Sequence, residues 1–403
     1  MQFVPAPELG PDHWRLGNGL IEVVIGPAGL EQLVGASGQG ESLLAAPLRW
    51  QRWADRGEFW DAWDLAADHR RHPLPWEWHG KAELISAGPL AVQLRWRGRV
   101  GASPVRLELR LLAGSPWLEL LLCQHWRQRH ELLQLEIPLA RKAERWAADT
   151  SAGVIERPAV ARTPREQARW EVPAISWVAA AGVAVLLDGP QGVSAAADRL
   201  SLSLLRAPTW PDPGADNGWQ RQRLGLMAAP AGWRPARVPQ QARRLREPLW
   251  LRPRPAAEPR AAAALQVKAS PLAGRDWRWP ALPPLDDDLR LVGLRPATST
   301  AAATGSAAES ASAASPRPAA GVLSSEVYGL NQPVTDQPGG AELVLSVQNE
   351  GPCLRRLELG AAWQVLERLD GLDRPWSGAG DNLLVRPWQL AFWRIRWRPP
   401  ATG

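Results

Sequence analysis

Residues 90–126 read LAVQLRWRGRVGASPVRLELRLLAGSPWLELLLCQHW, and this stretch decides the fold. Apolar and polar residues alternate in the runs 90–97 and 105–111, and a third apolar run follows at 117–126. Successive side chains of a β-strand point to opposite faces, so the alternating runs predict strands with one buried face. Short turns such as AGSP at 113–116 favour an antiparallel meander. Because a second sheet is the usual cover for an apolar sheet face, the stretch predicts a β-sandwich.

The strand pattern continues through the rest of the chain. Further candidate strands lie at 20–25, 132–137, 183–187, 200–206, 223–228, 289–294, 343–348, 354–359, 365–369 and 383–395. The 39 prolines and 35 glycines interrupt the chain too often for many helices. We therefore predict an all-β protein in which a large antiparallel β-sandwich is followed by a smaller β-sandwich domain.

Two changes of composition divide the chain. Residues 236–260 become rich in Arg and Pro and lose the alternation, which is typical of a domain joint. Residues 297–320 are almost wholly Ala, Ser, Thr, Pro and Gly, with too little bulky apolar surface to offset the entropy of ordering. The expected organisation is a large sandwich at 1–245, a linker with the first strands of the second domain at 246–296, a disordered insertion at 297–321, and the remainder of the small sandwich at 322–403.

Charge and cysteine content exclude several classes of partner. The net charge of +6 is spread among interleaved acids and arginines, as in RLELR at 106–110, so no nucleic-acid-binding stripe is expected. Cys123 and Cys353 are too few for a disulfide framework. The first residues do not resemble a secretory signal, and no apolar run approaches the roughly 20 residues that cross a bilayer. We expect a soluble cytoplasmic protein that binds neither nucleic acid nor membrane.

Tryptophan is unusually frequent, with 24 residues against 3 Phe and 1 Tyr. Arg, Ala, Gly and Pro are favoured as well, which suggests a general compositional bias. Most of the tryptophans are therefore expected at core positions where related proteins carry Phe or Tyr.

Two polar stretches are candidates for binding a sugar. In EFWDAWD at 58–64, Asp61 and Asp64 stand among tryptophans, which favours either hydroxyl binding with ring stacking or a loop whose acids bond backbone amides. In TWPDPGADNG at 209–218, prolines and glycines fix a long loop after a strand, where sandwich proteins commonly place binding groups. Its polar side chains also fit a rigid, self-bonded turn.

The histidines do not predict a metal site. All six lie before residue 131, and DHRRH at 68–72 has a ligand-like spacing. The two arginines inside that motif would repel a cation, so no metal is expected there.

The order of several motifs resembles the C-terminal β-sandwich region of glycoside hydrolase family 38, the α-mannosidases, in its bacterial branch. These motifs are NGL at 18–20 with GL at 29–30, WDAWD at 60–64, HELL at 130–133, GVIERP at 153–158, EVP at 171–173 and LSLLRAPTWPD at 202–212. The resemblance covers about residues 14–250 and, more loosely, 342–397. It implies a sandwich like that of galactose mutarotase for the large domain.

The resemblance also implies where the chemistry lies. In that family an N-terminal β/α domain holds zinc, the Asp nucleophile and the acid/base, so these are expected outside this chain, which should hold no catalytic residue, metal or cofactor. The long loop should reach toward the active-site cleft, and the expected cleft residues are Arg206, Asp212, Asp216, Asn217 and Gly218, with Asp61 and Asp64 as secondary candidates. Gln220 and Ile175 stand where the family commonly has His.

The leading functional hypothesis is therefore the cleft-supporting C-terminal part of an α-mannosidase. Its expected partners are an α-mannoside and the catalytic domain or polypeptide, without which it should be inactive. Two alternatives stay open: a stand-alone carbohydrate-binding module and a structural remnant.

Overall fold

The computed structural model describes residues 2–27, 29–36, 40–57, 61–151, 153–247, 285–286, 288–297, 342–378 and 380–397. The chain divides into two compact units, Met1–Arg254 and Pro255–Gly403. Nearly all regular structure is antiparallel β-sheet, which confirms the predicted fold class. Almost all of the predicted insertion and most of the predicted linker lie outside the described residues.

The first unit is built from strands of very different length. In chain order they are β1 (Gln2–Pro5), β2 (Trp14–Gly17), β3 (Ile21–Gly26), β4 (Gly29–Gly35), β5 (Arg49–Ala54), β6 (Pro73–Leu74), β7 (Glu77–Ala87), β8 (Ala91–Val100), β9 (Ser103–Leu112), β10 (Trp117–Trp126), β11 (Glu131–Pro138), β12 (Arg145–Thr150), β13 (Gly153–Pro158), β14 (Val172–Ala174), β15 (Trp177–Ala180), β16 (Val183–Leu187), β17 (Gln191–Ala196), β18 (Arg199–Leu205) and β19 (Gly218–Ala228). Short 3₁₀ turns lie at Pro7–Leu9 and His69–Arg71, and two helices are α1 (Pro164–Gln167) and α2 (Val238–Arg246).

These strands form three sheets. The largest has the order β13-β12-β15-β16-β19-β10-β9-β8-β7, and the second has the order β14-β17-β18-β11-β5-β6. The four N-terminal strands form a separate sheet in chain order. The meander predicted at 90–126 is present, since β8 pairs with β9 and β9 with β10.

One core joins all three sheets. Leu94, Leu109 and Leu120 bury the alternating apolar face of the meander, and they share a cluster with Leu135 of the six-stranded sheet and Val23 of the N-terminal sheet. The register explains this arrangement, because Leu94, Leu109 and Leu120 lie opposite one another across β8, β9 and β10 and therefore point to the same side.

A helix covers part of the opposite face of the nine-stranded sheet. Val238, Ala242 and Leu245 of α2 are buried against a cluster that includes Trp177 and Leu186. Their spacing of four and three residues is the period of a helix, but the composition of 236–260 predicted only an irregular joint, so this helix was missed. No helix in the described ranges is long and apolar enough to span a membrane.

The second unit is a smaller set of antiparallel strands. They are β20 (Leu289–Pro296), β21 (Glu342–Asn349), β22 (Arg355–Arg356), β23 (Trp363–Leu369), β24 (Leu384–Val385) and β25 (Leu390–Trp397). The first sheet has the order β20-β21-β25-β23, and β22 pairs with β24. Buried residues of both sheets, among them Leu345, Trp393 and Val385, form one core.

Two predicted strands of this unit were too long. The run 383–395 is interrupted by a turn in which the Gln389 N–H donates to the Arg386 carbonyl and Trp388 takes a left-handed φ of 61°. Pro387 lacks an N–H and cannot donate to a sheet ladder, which fits the break at this point. The run 354–359 forms only the two-residue β22, because its partner β24 is equally short.

Candidate functional site

Three loops meet at one end of the large sandwich. In the six-stranded sheet β5 ends, β11 begins and β18 ends at the same edge, since Glu131 lies opposite Ala54 and Leu133 opposite Leu205. The connecting backbone is joined directly, because the His130 N–H donates to the Ala207 carbonyl at 2.9 Å and the Asp55 N–H donates to the His130 carbonyl at 2.8 Å. The loops after β5, before β11 and after β18 are therefore held as one cluster.

Asp61 connects two of these loops. Its Oδ2 accepts hydrogen bonds from the backbone N–H of Thr209 at 2.7 Å and of Trp210 at 3.2 Å. The Thr209 hydroxyl lies 3.1 Å from His130 Nε2, and His130 Nδ1 lies 3.6 Å from Asp61 Oδ1. Burial alone would raise the pKa of Asp61, but the two N–H donors and His130 together lower it below its usual value. The side chain is thus an anion that positions the 209–210 backbone.

The atoms that face each other between Asp61 and His130 are buried and unsatisfied. Asp61 Oδ1 and His130 Nδ1 make no hydrogen bond within the described part of the chain. Their 3.6 Å separation exceeds the usual hydrogen-bond length. A small movement of the loop would bring the two atoms within hydrogen-bond distance of each other or open them to a polar partner.

Two tryptophans stand exposed beside this point. Trp63 is 64% exposed and Trp210 is 53% exposed, and their ring centroids are 5.3 Å apart at an angle of 58°. Large aromatic side chains are normally buried, so an adjacent exposed pair marks a surface suited to stacking with a ligand. The bias that places tryptophan in the core therefore does not account for these two residues.

Arg206 is tied to an acid beneath the loops. Its Nε and Nη2 both reach Asp55 Oδ2, at 2.7 and 2.6 Å. The other Asp55 oxygen accepts from the Ala66 N–H at 2.7 Å, and the Asp55 side chain is only 1% exposed. This buried pair fixes the end of β18 to the loop that carries Asp61.

Most of the predicted cleft residues in the 212–218 segment shape the loop. Asp216 Oδ2 accepts from the N–H groups of Arg206 and Ala207, and the Asn217 amide donates to the Gln128 carbonyl. Asp212 caps its own turn through the Gly214 N–H, and Gly218 has a φ of 100°, which favours glycine. The structure therefore shows the self-bonded turn that the sequence left open, and a ligand role for these four residues stays a prediction.

Asp64 is exposed, and its Oδ1 accepts from the adjacent Leu65 N–H. Three residues of the site were not named as candidates from the sequence, namely Asp55, His130 and Thr209. His130 and Thr209 lie within stretches that the family resemblance quoted, whereas nothing in the sequence distinguished Asp55.

A half-buried carboxyl group, that of Glu171, lies on the outer side of the six-stranded sheet. Trp53 Nε1 donates to Gln134 at 3.1 Å, Gln134 donates to the Ser203 hydroxyl at 3.1 Å, and Ser203 donates to Glu171 Oε2 at 2.5 Å. Burial raises the pKa of Glu171 and outweighs the opposite effects of the Ser203 hydroxyl and Arg206.

This carboxyl group should make stability depend on pH. Because the folded-state pKa lies above the ordinary value of 4.5, the unfolded chain loses this proton first as pH rises. The contribution of Glu171 to the free energy of unfolding is therefore present below pH 4.5 and falls as pH rises toward the folded-state pKa. We expect Glu171→Gln to gain stability relative to wild type across that window, measured by urea unfolding at several pH values. Parallel curves for the two proteins would contradict this.

The histidines do not assemble a metal site. Within the described ranges there is no group of three or more His, Cys, Asp or Glu side chains arranged to hold a metal ion. In the 68–72 motif, His69 is buried and donates from Nδ1 to the Ala66 carbonyl, and His72 Nε2 lies 3.0 Å from Asp68. The zinc that the family resemblance implies was expected in the N-terminal β/α domain, outside this chain, so no chemical step is assigned to zinc here.

Comparison with known proteins places this fold in a family. Residues 16–214 match the glycosyl hydrolases family 38 C-terminal domain. Alpha-mannosidase 2C1 of Homo sapiens is 31% identical over 260 residues, covering 60% of this chain and 24% of the human protein. Alpha-mannosidase G of Dictyostelium discoideum is 29% identical over 216 residues, covering 50% of this chain and 20% of that protein. The chain thus spans a quarter or less of the length of these relatives.

A solved structure agrees in fold. A family 38 glycosyl hydrolase from Enterococcus faecalis superposes with a TM-score of 0.58 over 98% of this chain and 44% of its own, at 12% sequence identity. That identity supports a shared fold alone. The sequence match of the large sandwich, which carries the loop cluster, decides the family of this region: residues 16–214 are a C-terminal domain of the glycosyl hydrolases of family 38.

Proposed function

We propose that this chain is the cleft-supporting C-terminal part of an α-mannosidase, and that it acts on terminal α-mannosides only together with a zinc-bearing catalytic domain. The observation that carries the proposal is the loop cluster of the family 38 domain. There, exposed Trp63 and Trp210 stand beside the unsatisfied polar atoms of Asp61 and His130. The named relatives are α-mannosidases, which supports the substrate class.

On this proposal the chain binds and orients the sugar and does not cleave it. The tryptophan rings would stack on the apolar face of a hexose, while Asp61 and His130 would bond its hydroxyls. Zinc and the hydrolytic carboxylates would belong to the catalytic domain, where a bound zinc ion supplies Lewis-acid chemistry. The unpaired Cys123 and Cys353 suit a reducing compartment, so we place the protein in the cytoplasm.

The division of roles can be tested by reconstitution. The purified chain is assayed with an aryl α-mannoside, alone and mixed with a separately produced polypeptide that carries a family 38 catalytic domain. We expect no hydrolysis by the chain alone and zinc-dependent hydrolysis by the mixture above the rate of the catalytic polypeptide. Hydrolysis by the chain alone would overturn the assignment.

The aromatic pair gives a second test. Trp210→Ala should weaken sugar binding by the mixture about 2- to 10-fold, because an aromatic stacking contact contributes about 0.5–1.5 kcal/mol. Trp219→Ala is the matched control, since Trp219 is 78% exposed but makes an edge-on contact with His125 of the nine-stranded sheet. An equal increase of KM in both variants would contradict the proposed cleft.

A stand-alone carbohydrate-binding module is a second candidate, favoured by the same exposed Trp63–Trp210 pair. Calorimetric titration of the chain with mannose oligosaccharides distinguishes the two functions. Heat of binding without the catalytic polypeptide, lost in Trp210→Ala, supports the module. If no heat of binding is detected, sugar binding requires the complete cleft formed with the catalytic polypeptide, and the module function is rejected.

A further inference from the structure

The DHRRH motif at 68–72, which the proposed function does not use, places only one of its two histidines in the interior. His69 is 4% exposed, and its ring lies edge-on to Trp53 of β5 with the ring centres 6.2 Å apart. His72 follows the same 3₁₀ turn, but its side chain is 55% exposed and lies 3.0 Å from Asp68. The two histidines of one motif therefore stand in opposite environments.

One ring nitrogen of His69 is committed as a hydrogen-bond donor. Nδ1 lies 2.7 Å from the Ala66 carbonyl, and because a carbonyl oxygen only accepts, Nδ1 carries the proton. In the neutral ring Nε2 is then an acceptor without a hydrogen. Nε2 is buried and makes no hydrogen bond in the described part of the chain. Protonation of Nε2 would therefore bury a new N–H and a full charge without an acceptor, which costs free energy.

The surroundings of the His69 ring favour its neutral form. Burial is the largest influence and acts against the charged ring. The hydrogen bond to Ala66 and the charge of Asp55 act in the opposite direction, and the charges of Arg70 and Arg206 add to the effect of burial. Both Asp55 oxygens are already bonded, Oδ2 to Arg206 and Oδ1 to the Ala66 N–H. The net result is a pKa of His69 below its ordinary value of 6.5.

His69 is connected to the candidate site through Ala66. The Ala66 carbonyl accepts hydrogen bonds from His69 Nδ1 at 2.7 Å and from the His69 backbone N–H at 3.1 Å. The Ala66 N–H donates to Asp55, which pairs with Arg206 at the start of the connection to the 209–218 loop. The loop after β5 and the loop after β18 are thus joined by a chain of contacts that begins at the imidazole.

We propose that His69 makes the loop cluster sensitive to pH: the neutral ring holds the 61–72 segment in place, and the protonated ring releases it. This role does not depend on the proposed mannosidase function. Well above pH 6.5 the ring is neutral in the folded and the unfolded chain, and its contribution to stability is complete. As pH falls below 6.5 the unfolded chain takes up the proton first, so stability is lost until the folded-state pKa is reached.

The first test compares the full chain with His69→Asn and His72→Asn by urea unfolding at about pH 7.5 and about pH 5.5. Asparagine keeps a side-chain N–H for the Ala66 carbonyl but does not titrate. On acidification the unfolding equilibrium constant of the wild type should rise relative to His69→Asn by up to about tenfold, the limit for one histidine of ordinary unfolded-state pKa. His72→Asn is the matched control and should follow the wild type. Parallel pH profiles for the wild type and His69→Asn would overturn the proposal.

Release of the segment is measured at Thr209, whose backbone N–H donates to Asp61 at 2.7 Å. The hydrogen-exchange rate of this amide in the wild type is divided by the rate in His69→Asn at the same pH, which cancels the intrinsic pH dependence of exchange. The ratio should rise between about pH 7.5 and about pH 5.5, by up to about tenfold. An unchanged ratio would show that protonation of His69 does not reach the candidate site, and would overturn the proposal.

A direct titration of the wild type decides the matter if His69→Asn does not fold. The chain has six histidines, and the His69 ring is identified by NMR through its contact with Trp53. We expect this ring to take up its proton at a lower pH than the histidine of a model peptide. Titration at the pH of the model peptide would overturn the proposal.

Discussion

Replacing Arg206 with glutamine should lower the free energy of unfolding of the large sandwich by about 3–5 kcal/mol, the range for breaking a buried ion pair from one side. Asp55 would be left at 1% exposure without its cation, with the Ala66 N–H as its remaining hydrogen-bond donor among the described residues. A buried carboxylate without its cation is costly because the protein interior solvates it poorly. Urea unfolding followed by tryptophan fluorescence measures the loss.

A double-mutant cycle makes this prediction specific. The variant with both Arg206→Gln and Asp55→Asn should lose less than the sum of the single losses, because no charge is left buried. Arg145→Gln is the matched control, since Arg145 is 60% exposed and lies 3.9 Å from Glu156. That surface pair should contribute below about 1 kcal/mol. Additive losses at Asp55 and Arg206 would show that the two side chains are not coupled.

The same pair should affect the candidate site. The Arg206–Asp55 pair joins the end of β18, before Thr209, to the loop before Asp61. Its loss should therefore increase the mobility of both residues of the 2.7 Å Asp61–Thr209 hydrogen bond. Sugar binding in the reconstituted enzyme should therefore weaken in Arg206→Gln even under conditions where the variant stays folded.

Removing Trp96 should have a comparable effect on stability. Trp96 is 1% exposed within the main core, and Trp96→Ala should cost about 3–5 kcal/mol through lost burial and the cavity left behind. Trp96→Phe should cost about 0.5–1.5 kcal/mol, because it removes the 2.6 Å hydrogen bond from the indole N–H to the Pro27 carbonyl. Thermal and urea unfolding give both values.

Trp126 is the matched control. It is equally buried, but its indole N–H has no hydrogen-bond partner within the described part of the chain. Trp126→Phe removes an unsatisfied donor and should be close to neutral. If both Phe variants lose the same stability, the Pro27 hydrogen bond contributes nothing. The contrast also tests the interpretation that tryptophan replaces Phe in this chain, which we expect to hold at Trp126 and to fail at Trp96.

The sequence predicted local structure well where one face of a strand is buried. The alternation at 90–126 located β8, β9 and β10, because burial of every second side chain of a strand requires an apolar residue at every second position. The prediction failed where the apolar pattern was weak. Helix α2 has only three buried apolar positions among many arginines, and the break at 386–389 depends on one turn.

For the candidate site, too, the sequence predicted the local features and not the long-range contacts. From the sequence, the prolines and glycines of 209–218 indicated a fixed loop, and Asp61 stood out among tryptophans. Neither pattern could show that Asp61 binds the Thr209 backbone 148 positions away, or that Arg206 pairs with Asp55 across 151 positions.

The sequence by itself thus determined the all-β class, most strand positions and the family resemblance, since these depend on side-chain periodicity and on residue order. Only the tertiary structure decided the strand order, in which β19 lies between β16 and β10, and the contacts of the loop cluster. The physical reason is that pairing between distant strands is fixed by the shared core that they bury together. A loop residue acquires its partner only after that core has brought the strand ends to one edge.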